Sequence, residues 1–385
     1  MKITEIRLDM LRVPLKTPFK TALRTIETVE DIVVSMHTDT GHVGYGAAAA
    51  TAVITGDTHG SIVDAIRSYL VPRLIGREIA DLNRITQLIQ GALERNTSAK
   101  AAAEIAVYDL FGQLYRAPLY RMLGGGGDPV ISTDITISVD SIDKMVAESM
   151  SAIERGFESL KIKVGKDIGL DIERVKAIHA AVDGRALLRL DANQGWTAKQ
   201  AVHAIHTLED AGVDLELLEQ PVRARDLAGL KYVTERIDTP VMADESVFGP
   251  AEVIELIRLR AADIINIKLM KTGGISNAVR IADIAAVHGV ECMIGCMIES
   301  SISVAAAVHL AIAKSDAITK VDLDGPSLCV FDPVDGGVLF NESEISVSEA
   351  PGLGIREIHG LQPLDGDVPA LGLDAPPPRT APVAH

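Results

Sequence analysis

The chain has 385 residues, 47% of them hydrophobic and 23% charged, and a net charge of −16 at pH 7. That length exceeds one small domain and fits a large barrel plus a second unit. The acidic balance argues against nucleic acid and anionic membrane as partners, since both select basic patches, while local Lys and Arg still admit anionic substrates. Aromatics make up only 3%, so Leu, Ile, Val and Ala must supply the core. The three cysteines, Cys292, Cys296 and Cys329, have no framework spacing and point to a reducing compartment. Residues 1–7 hold no uninterrupted apolar segment, and no apolar run reaches the roughly 18 residues of a membrane helix. The expected location is the cytoplasm.

Residues 3–13 and 28–38 are rich in β-branched residues, and Val43-Gly44-Tyr45-Gly46 follows a Gly41 turn, which predicts an antiparallel meander. The stretch Thr17 to Thr25 reads as a long polar loop with a function, and Thr51 to Asp57 as a second one. Helical periodicity covers 57–75, 81–94 and 98–116, so the first 120 or so residues form an α+β unit. Gly124 to Gly127, with Asp128-Pro129, marks a hinge; without a preceding strand or a following Gly-Lys-Ser/Thr it is not a phosphate cradle. Beyond it, a strand over 132–138 opens a strict alternation. Helices are expected near 141–155, 170–182, 197–210, 223–236, 249–260, 275–288 and 301–314. Eight strands alternating with at least seven helices imply a parallel sheet closed into a barrel. Thr197 with Gln200 forms a capping box for one of these helices. The segment 330–360 reads as loop-rich, and from Asp367 five prolines in nineteen residues read as a flexible tail.

The chemistry concentrates in residues 160–268. Lys163, Asp191, Glu219, Asp244 and Lys268 each end an apolar run and stand 28, 28, 25 and 24 residues apart. That interval is one βα unit, so each charge arrives at a strand's C-terminal end, at one mouth of the barrel. Three converging carboxylates repel one another unless a hard cation sits among them, and all-oxygen ligation points to Mg²⁺ or Mn²⁺. Lys161 and Lys163 are two apart on one strand and face the same way, so one should depress the pKa of the other toward that of a general base. Lys268 comes from a strand four units on. Two bases flanking a metal-bound carboxylate suit removal of its α-proton on one face and return on the other.

These motifs, Lys161-Ile162-Lys163, Asp191-Ala192-Asn193, Glu219-Gln220-Pro221, Asp244-Glu245-Ser246 and Lys268, resemble the enolase superfamily, muconate-lactonizing subgroup, over nearly the whole chain. The mandelate-racemase subgroup would place a His after the seventh strand, where this chain has Cys296 to Ser300. The resemblance implies an α/β fold, a modified (β/α)₇β TIM barrel with an N-terminal α+β capping domain, one Mg²⁺ and a homo-oligomer. The expected division is 1–125 for the cap, 126–328 for the barrel, 329–366 packing back on the cap, and 367–385 for the tail. Asn193 and Glu245 are expected just behind the metal ligands. Many relatives carry Glu after Gly46, where this chain has Ala47.

Asp322 and Asp324 end the eighth strand on one face and suit an ammonium group. Within the subgroup this pair is similar to that of the dipeptide epimerases. By the same resemblance Arg24 reads the side-chain carboxylate of a dipeptide's second residue, and Thr136, Cys296, Met297 and Ile298 line the substrate. The reaction implied is epimerisation of L-Ala-D/L-Glu. Muconate-type cycloisomerases and o-succinylbenzoate synthases are the nearest alternatives, but their substrates carry no ammonium. A catalytically silent binding protein is the alternative of another class; the complete set of lysines and acids speaks against it.

Overall fold

A computed structural model describes residues 1–21 and 23–364; the proline-rich segment 367–385 lies outside them. Three antiparallel strands, β1 (Ile3–Lys20), β2 (Thr25–Thr38) and β3 (Val43–Ala49), form a sheet that Gln362–Pro363 extends along β1. One face of this sheet packs on helix α1 (Thr97–Tyr115). That helix is alanine-rich and buried over most of its surface between two layers, with Lys100, Glu104 and Asp109 among its buried residues. The sheet reaches it closely because β3 presents glycine there: a Cβ on Gly46 would lie 2.0 Å from the carbonyl oxygen of Ala102.

The polar stretch 17–25 is mostly strand. β1 runs to Lys20 and β2 begins at Thr25, so only four residues connect them. The ladder breaks between Pro14 and Phe19, where Pro14 and Pro18 lack the N–H that pairing requires, and resumes beyond. The strand expected over 132–138 is likewise two pieces. Val130–Ser132 pairs with Glu344–Val347, and only β4 (Ile135–Ile137) enters the barrel.

The barrel is an eight-stranded parallel sheet, ordered as in the chain. After β4 come β5 (Ser159–Lys163), β6 (Leu187–Asp191), β7 (Leu217–Glu219), β8 (Val241–Ala243), β9 (Ile264–Lys268), β10 (Glu291–Gly295) and β11 (Ile318–Asp322). The helices between them are α2 (Ile142–Glu154), α3 (Ile168–Val182), α4 (Ala198–Glu209), α5 (Leu227–Thr234), α6 (Pro250–Leu259), α7 (Ile275–Val287) and α8 (Ser301–Ala313). Each falls within a few residues of its expected span, and Thr197 and Gln200 form the capping box at α4. Between β11 and β4 the seam is closed by single bonds instead of a ladder: Asp134 N–H to Val321 O at 3.3 Å and Leu323 N–H to Thr133 Oγ1 at 2.9 Å.

Residues 330–360 are more ordered than their composition implies. They form two short hairpin-like pairings, Val334–Gly336 with Ile355–Ile358 and Val338–Asn341 with Glu344–Val347. Inside the barrel, Leu217, Met242, Ile264 and Met293 form a buried apolar cluster toward the N-terminal end of the strands, beside the buried Arg189 with its partners Asp134 and Glu216.

Candidate active site

Strand register assembles the site. Lys163 pairs with Asp191 and Asp191 with Glu219 on adjacent strands, while Lys268, Gly295 and Asp322 stand in register on the far side. Leu160, Ile162 and Val164 point into the helix layer, so Lys161 and Lys163 share the inner face, as alternation requires. Gly295 is needed for space: a Cβ there would come within 2.9 Å of Lys268 Cε.

The lysines lie among the acids. Lys163 Nζ is 2.6 Å from Asp191 Oδ2, and Lys268 Nζ is 2.9 Å from Asp244 Oδ2. Lys161 Nζ meets three carboxylates: Glu219 at 2.6 Å, Asp322 at 2.7 Å and Asp191 at 3.2 Å. Burial alone would lower the pKa of Lys161. The carboxylates of Asp322, Glu219, Asp191 and Asp134 outweigh it and hold the ammonium well above its ordinary value. The sequence spacing did not reveal how many acids surround Lys161. Lys268 is held up in the same way, with Asp244 the main counter-charge.

Among the described residues no three His, Cys, Asp or Glu side chains are drawn together closely enough to hold a metal as they stand, since the ammonium groups lie between them. The donors nevertheless fit a hard cation. Asp191, Glu219 and Asp244 are all at most 1% exposed, and burial with repulsion from Asp191 pushes Glu219 up to about 7. Behind them, both carboxyl oxygens of Glu245 and Oδ1 of Asn193 are buried without a hydrogen-bond partner among the described residues. Burial and Asp244 push Glu245 up to about 8. Such a surplus of oxygen acceptors is costly without a cation to face.

Over this layer lies a small cavity of about 50 Å³, lined by Arg24, Thr136, Lys161, Lys163, Asn193, Lys268, Cys296, Met297, Ile298, Asp322 and Asp324. Clefts of 470 Å³ and 400 Å³ lie elsewhere, on the cap sheet and at the N-terminal ends of the barrel strands. Neither collects the converging charges, so the smaller cavity is the chemical one. Asp324 accepts the Thr136 N–H at 2.7 Å, and burial and Asp322 push it up to about 6. Asp322 is tied to Lys161 and is therefore joined to the acid trio, not separate from it. The Arg24 guanidinium is half-buried, pairs with no carboxylate among the described residues, and is lowered to about 10 by burial. Cys296 is pushed up by burial and by Glu299, so it is a wall residue and no nucleophile.

The family model described as mandelate racemase/muconate lactonizing enzyme, N-terminal domain, matches residues 3–124, and the enolase C-terminal domain-like model matches residues 144–357. The chain belongs to the mandelate racemase/muconate lactonizing enzyme family. Within this family it is 51% identical to a protein of Clostridium acetobutylicum named L-Ala-D/L-Glu epimerase, over 93% of this chain and 100% of that one. The substrate-liganded L-Ala-D/L-Glu epimerase of Bacillus subtilis superposes with a TM-score of 0.90 at 49% identity, covering 92% of this chain and 99% of that one. The dipeptide epimerase of Enterococcus faecalis, complexed with Mg and L-Leu-L-Tyr, gives 0.89 at 43% identity, covering 93% and 100%.

Sequence reasoning missed three groups that hold this family member's site together. Asn266, two residues before Lys268 and on the same face, donates to Glu219 Oε1 at 2.7 Å; strand alternation was the available signal. The Lys271 ammonium, fully buried, contacts both the carboxylate and the backbone carbonyl of Asp244, and no spacing rule indicates it. Gln220 sits at φ 33°, a left-handed conformation unusual without glycine, and its Oε1 accepts the N–H groups of Asp244 and Ser246 at 2.9 and 3.2 Å. Ala47 lies fully buried in the layer between the cap sheet and α8, not on the cavity wall.

Proposed function

We propose that this protein is a dipeptide epimerase of L-Ala-D/L-Glu type, exchanging the α-proton of the second residue. One observation carries the reading: a single cavity holds two acids suited to an ammonium, Asp322 and Asp324, and a guanidinium with no carboxylate partner among the described residues, Arg24, with Lys163 and Lys268 on opposite strands between them. The activities named for the relatives support it.

Asp191, Glu219 and Asp244 would hold Mg²⁺; Mn²⁺ suits the same oxygen donors. Bound there, the cation would supply stabilisation of the negative charge that develops on the substrate carboxylate and would offset the acids that hold up Lys268. Asp322 and Asp324 accept the dipeptide ammonium, and the Thr136 N–H keeps Asp324 in place. Arg24 takes the distal carboxylate as a planar fork. Lys161 stays charged and polarises the α-carboxylate. Lys163 and Lys268 remove and return the α-proton from opposite faces. The ring of Phe19, 5.7 Å from Lys163 Nζ, roofs that lysine against water.

Incubation with L-Ala-L-Glu and Mg²⁺ in D₂O is expected to place deuterium at the Glu α-carbon and to build up L-Ala-D-Glu, read by NMR and chiral chromatography. No uptake with any common divalent metal would sink Ala-Glu specificity; uptake with other dipeptides alone would move the substrate assignment.

A further inference from the structure

Cys296, Met297 and Ile298 supply a continuous stretch of cavity wall, yet this strip is neither helix nor strand. Two buried acids outside the cavity hold it. Glu299, 2% exposed, follows the strip directly; its Oε1 accepts the Met297 N–H at 2.7 Å, and its Oε2 accepts the Ser303 hydroxyl. Asp31, fully buried, comes from strand β2 of the cap, and its Oδ2 accepts the N–H of Ser300 at 2.8 Å. Ser300 occupies the N-cap position of helix α8 without a side-chain capping bond, so the Asp31 carboxylate meets the positive end of that helix.

The setting makes these bonds consequential. Asp31 lies among Val29, Val33, Leu11, Val13 and Ala47, a layer packed on Ile302 at the start of α8. A carboxyl group in such a layer is unfavourable unless its bonds are made. Burial raises the pKa of both acids, and burial with repulsion from Asp31 takes Glu299 up to about 7. Nothing in the proton transfer uses either group. What they do is fix two ends of one strip: Glu299 folds it back on itself, and Asp31 ties its end to the sheet that also carries Arg24.

We propose that Glu299 and Asp31 are positioning residues for substrate selection, setting the shape of the 296–298 strip and its register against the cap. The proposal rests on the reading of the cavity as a dipeptide site. Loss of either tether should weaken ground-state and transition-state binding alike, raising KM while sparing kcat.

The test uses E299Q and D31N, which keep an acceptor oxygen, and E299D and D31A, which lose its reach. Amide hydrogen exchange over residues 296–301, read by mass spectrometry without substrate, is expected to be about tenfold faster in E299D and D31A and close to wild type in E299Q and D31N. With L-Ala-L-Glu the same two variants should raise KM about tenfold with kcat within about threefold, and the amide variants should recover. Wild-type exchange in E299D, a kcat loss at unchanged KM, or E299Q behaving as E299D would each overturn the proposal. Should D31A fail to fold, the contrast between E299D and E299Q still decides. A wild-type protein inactive on every dipeptide overturns the functional reading instead, and the exchange measurement still tests the tethers independently of it.

Discussion

Arg24 and the two outer lysines make the most specific claims at the scale of single residues. A half-buried guanidinium without a carboxylate partner among the described residues is a group waiting for an anion. Arg24→Met should therefore lower kcat/KM for L-Ala-L-Glu by about 10–100-fold, and leave a dipeptide with an apolar second residue nearly unchanged or improved. Equal losses on both substrates would show that Arg24 does not read the side chain. Lys163 and Lys268 stand four strands apart on opposite sides of the cavity, and in the proposed reaction they serve the α-carbon from two faces. Each alanine variant should lose about 10²–10⁴ in epimerisation rate. Each should still exchange the α-proton of one epimer with solvent, and the two variants should retain opposite epimers; NMR of L,L and L,D substrates in D₂O separates them. Retention of the same epimer by both would contradict a two-base arrangement.

At the scale of elements, the cap is built on contact between a glycine-bearing strand and an alanine-rich helix. Gly46 on β3 has no room for a Cβ, because the backbone of α1 at Ala102 occupies that place. Helix and strand are both backbone-rigid there, so the clash cannot be relieved by rotating a side chain. Gly46→Ala should destabilise the protein by about 2–3 kcal/mol. Gly60→Ala is the control: it is exposed in the helix His59–Asp64, with nothing nearer than Thr58 Oγ1 at 4.0 Å, and should be neutral or stabilising by up to about 1 kcal/mol. Thermal unfolding of the two variants measures the difference in sign. The helix periods and the capping box at α4 were legible because they are local. The extension of β1 to Lys20 and the pairing of Val130–Ser132 with Glu344–Val347 were not, because each depends on a partner strand elsewhere in the chain.

Across the whole molecule, buried polar groups join the parts. Glu104 on α1 accepts the Ser276 N–H and hydroxyl at 2.8 and 2.7 Å, just beyond the short helix Leu269–Thr272 that follows Lys268, and Asp109 accepts the Leu353 N–H at 2.8 Å. His309 on α8 accepts the Tyr120 N–H on Nδ1 at 3.0 Å and stacks on the Tyr120 ring. Burial lowers the pKa of His309 to about 4. The unfolded chain then takes up a proton below about pH 6.5 that the folded chain refuses until about pH 4. Its contribution to stability is complete above pH 6.5 and declines as the pH falls to 4, by on the order of 3 kcal/mol. Asp109, pushed up to about 6 by burial, works in the opposite direction over an overlapping range. The prediction therefore concerns the difference: denaturant unfolding of wild type and His309→Gln should show a gap that changes between pH 7 and pH 4, with the variant losing less stability. A constant gap would mean that His309 is not the titrating group.

Much of the site was legible in the order of residues. A charge at each strand end, at intervals of one βα unit, determines that Lys163, Asp191, Glu219, Asp244 and Lys268 meet at one mouth, because strand alternation and barrel closure are periodic and local rules. The same rules place Asp322 and Asp324 beside them. What only the tertiary structure decided is how many charges each group feels and what restrains it. Lys161 is held protonated by carboxylates from three other strands and Asp134, Lys271 and Gln220 brace Asp244, and Asp31 crosses from the cap to a barrel loop. Electrostatic fields and buried hydrogen bonds sum over groups distant in the chain, so no reading of local pattern contains them.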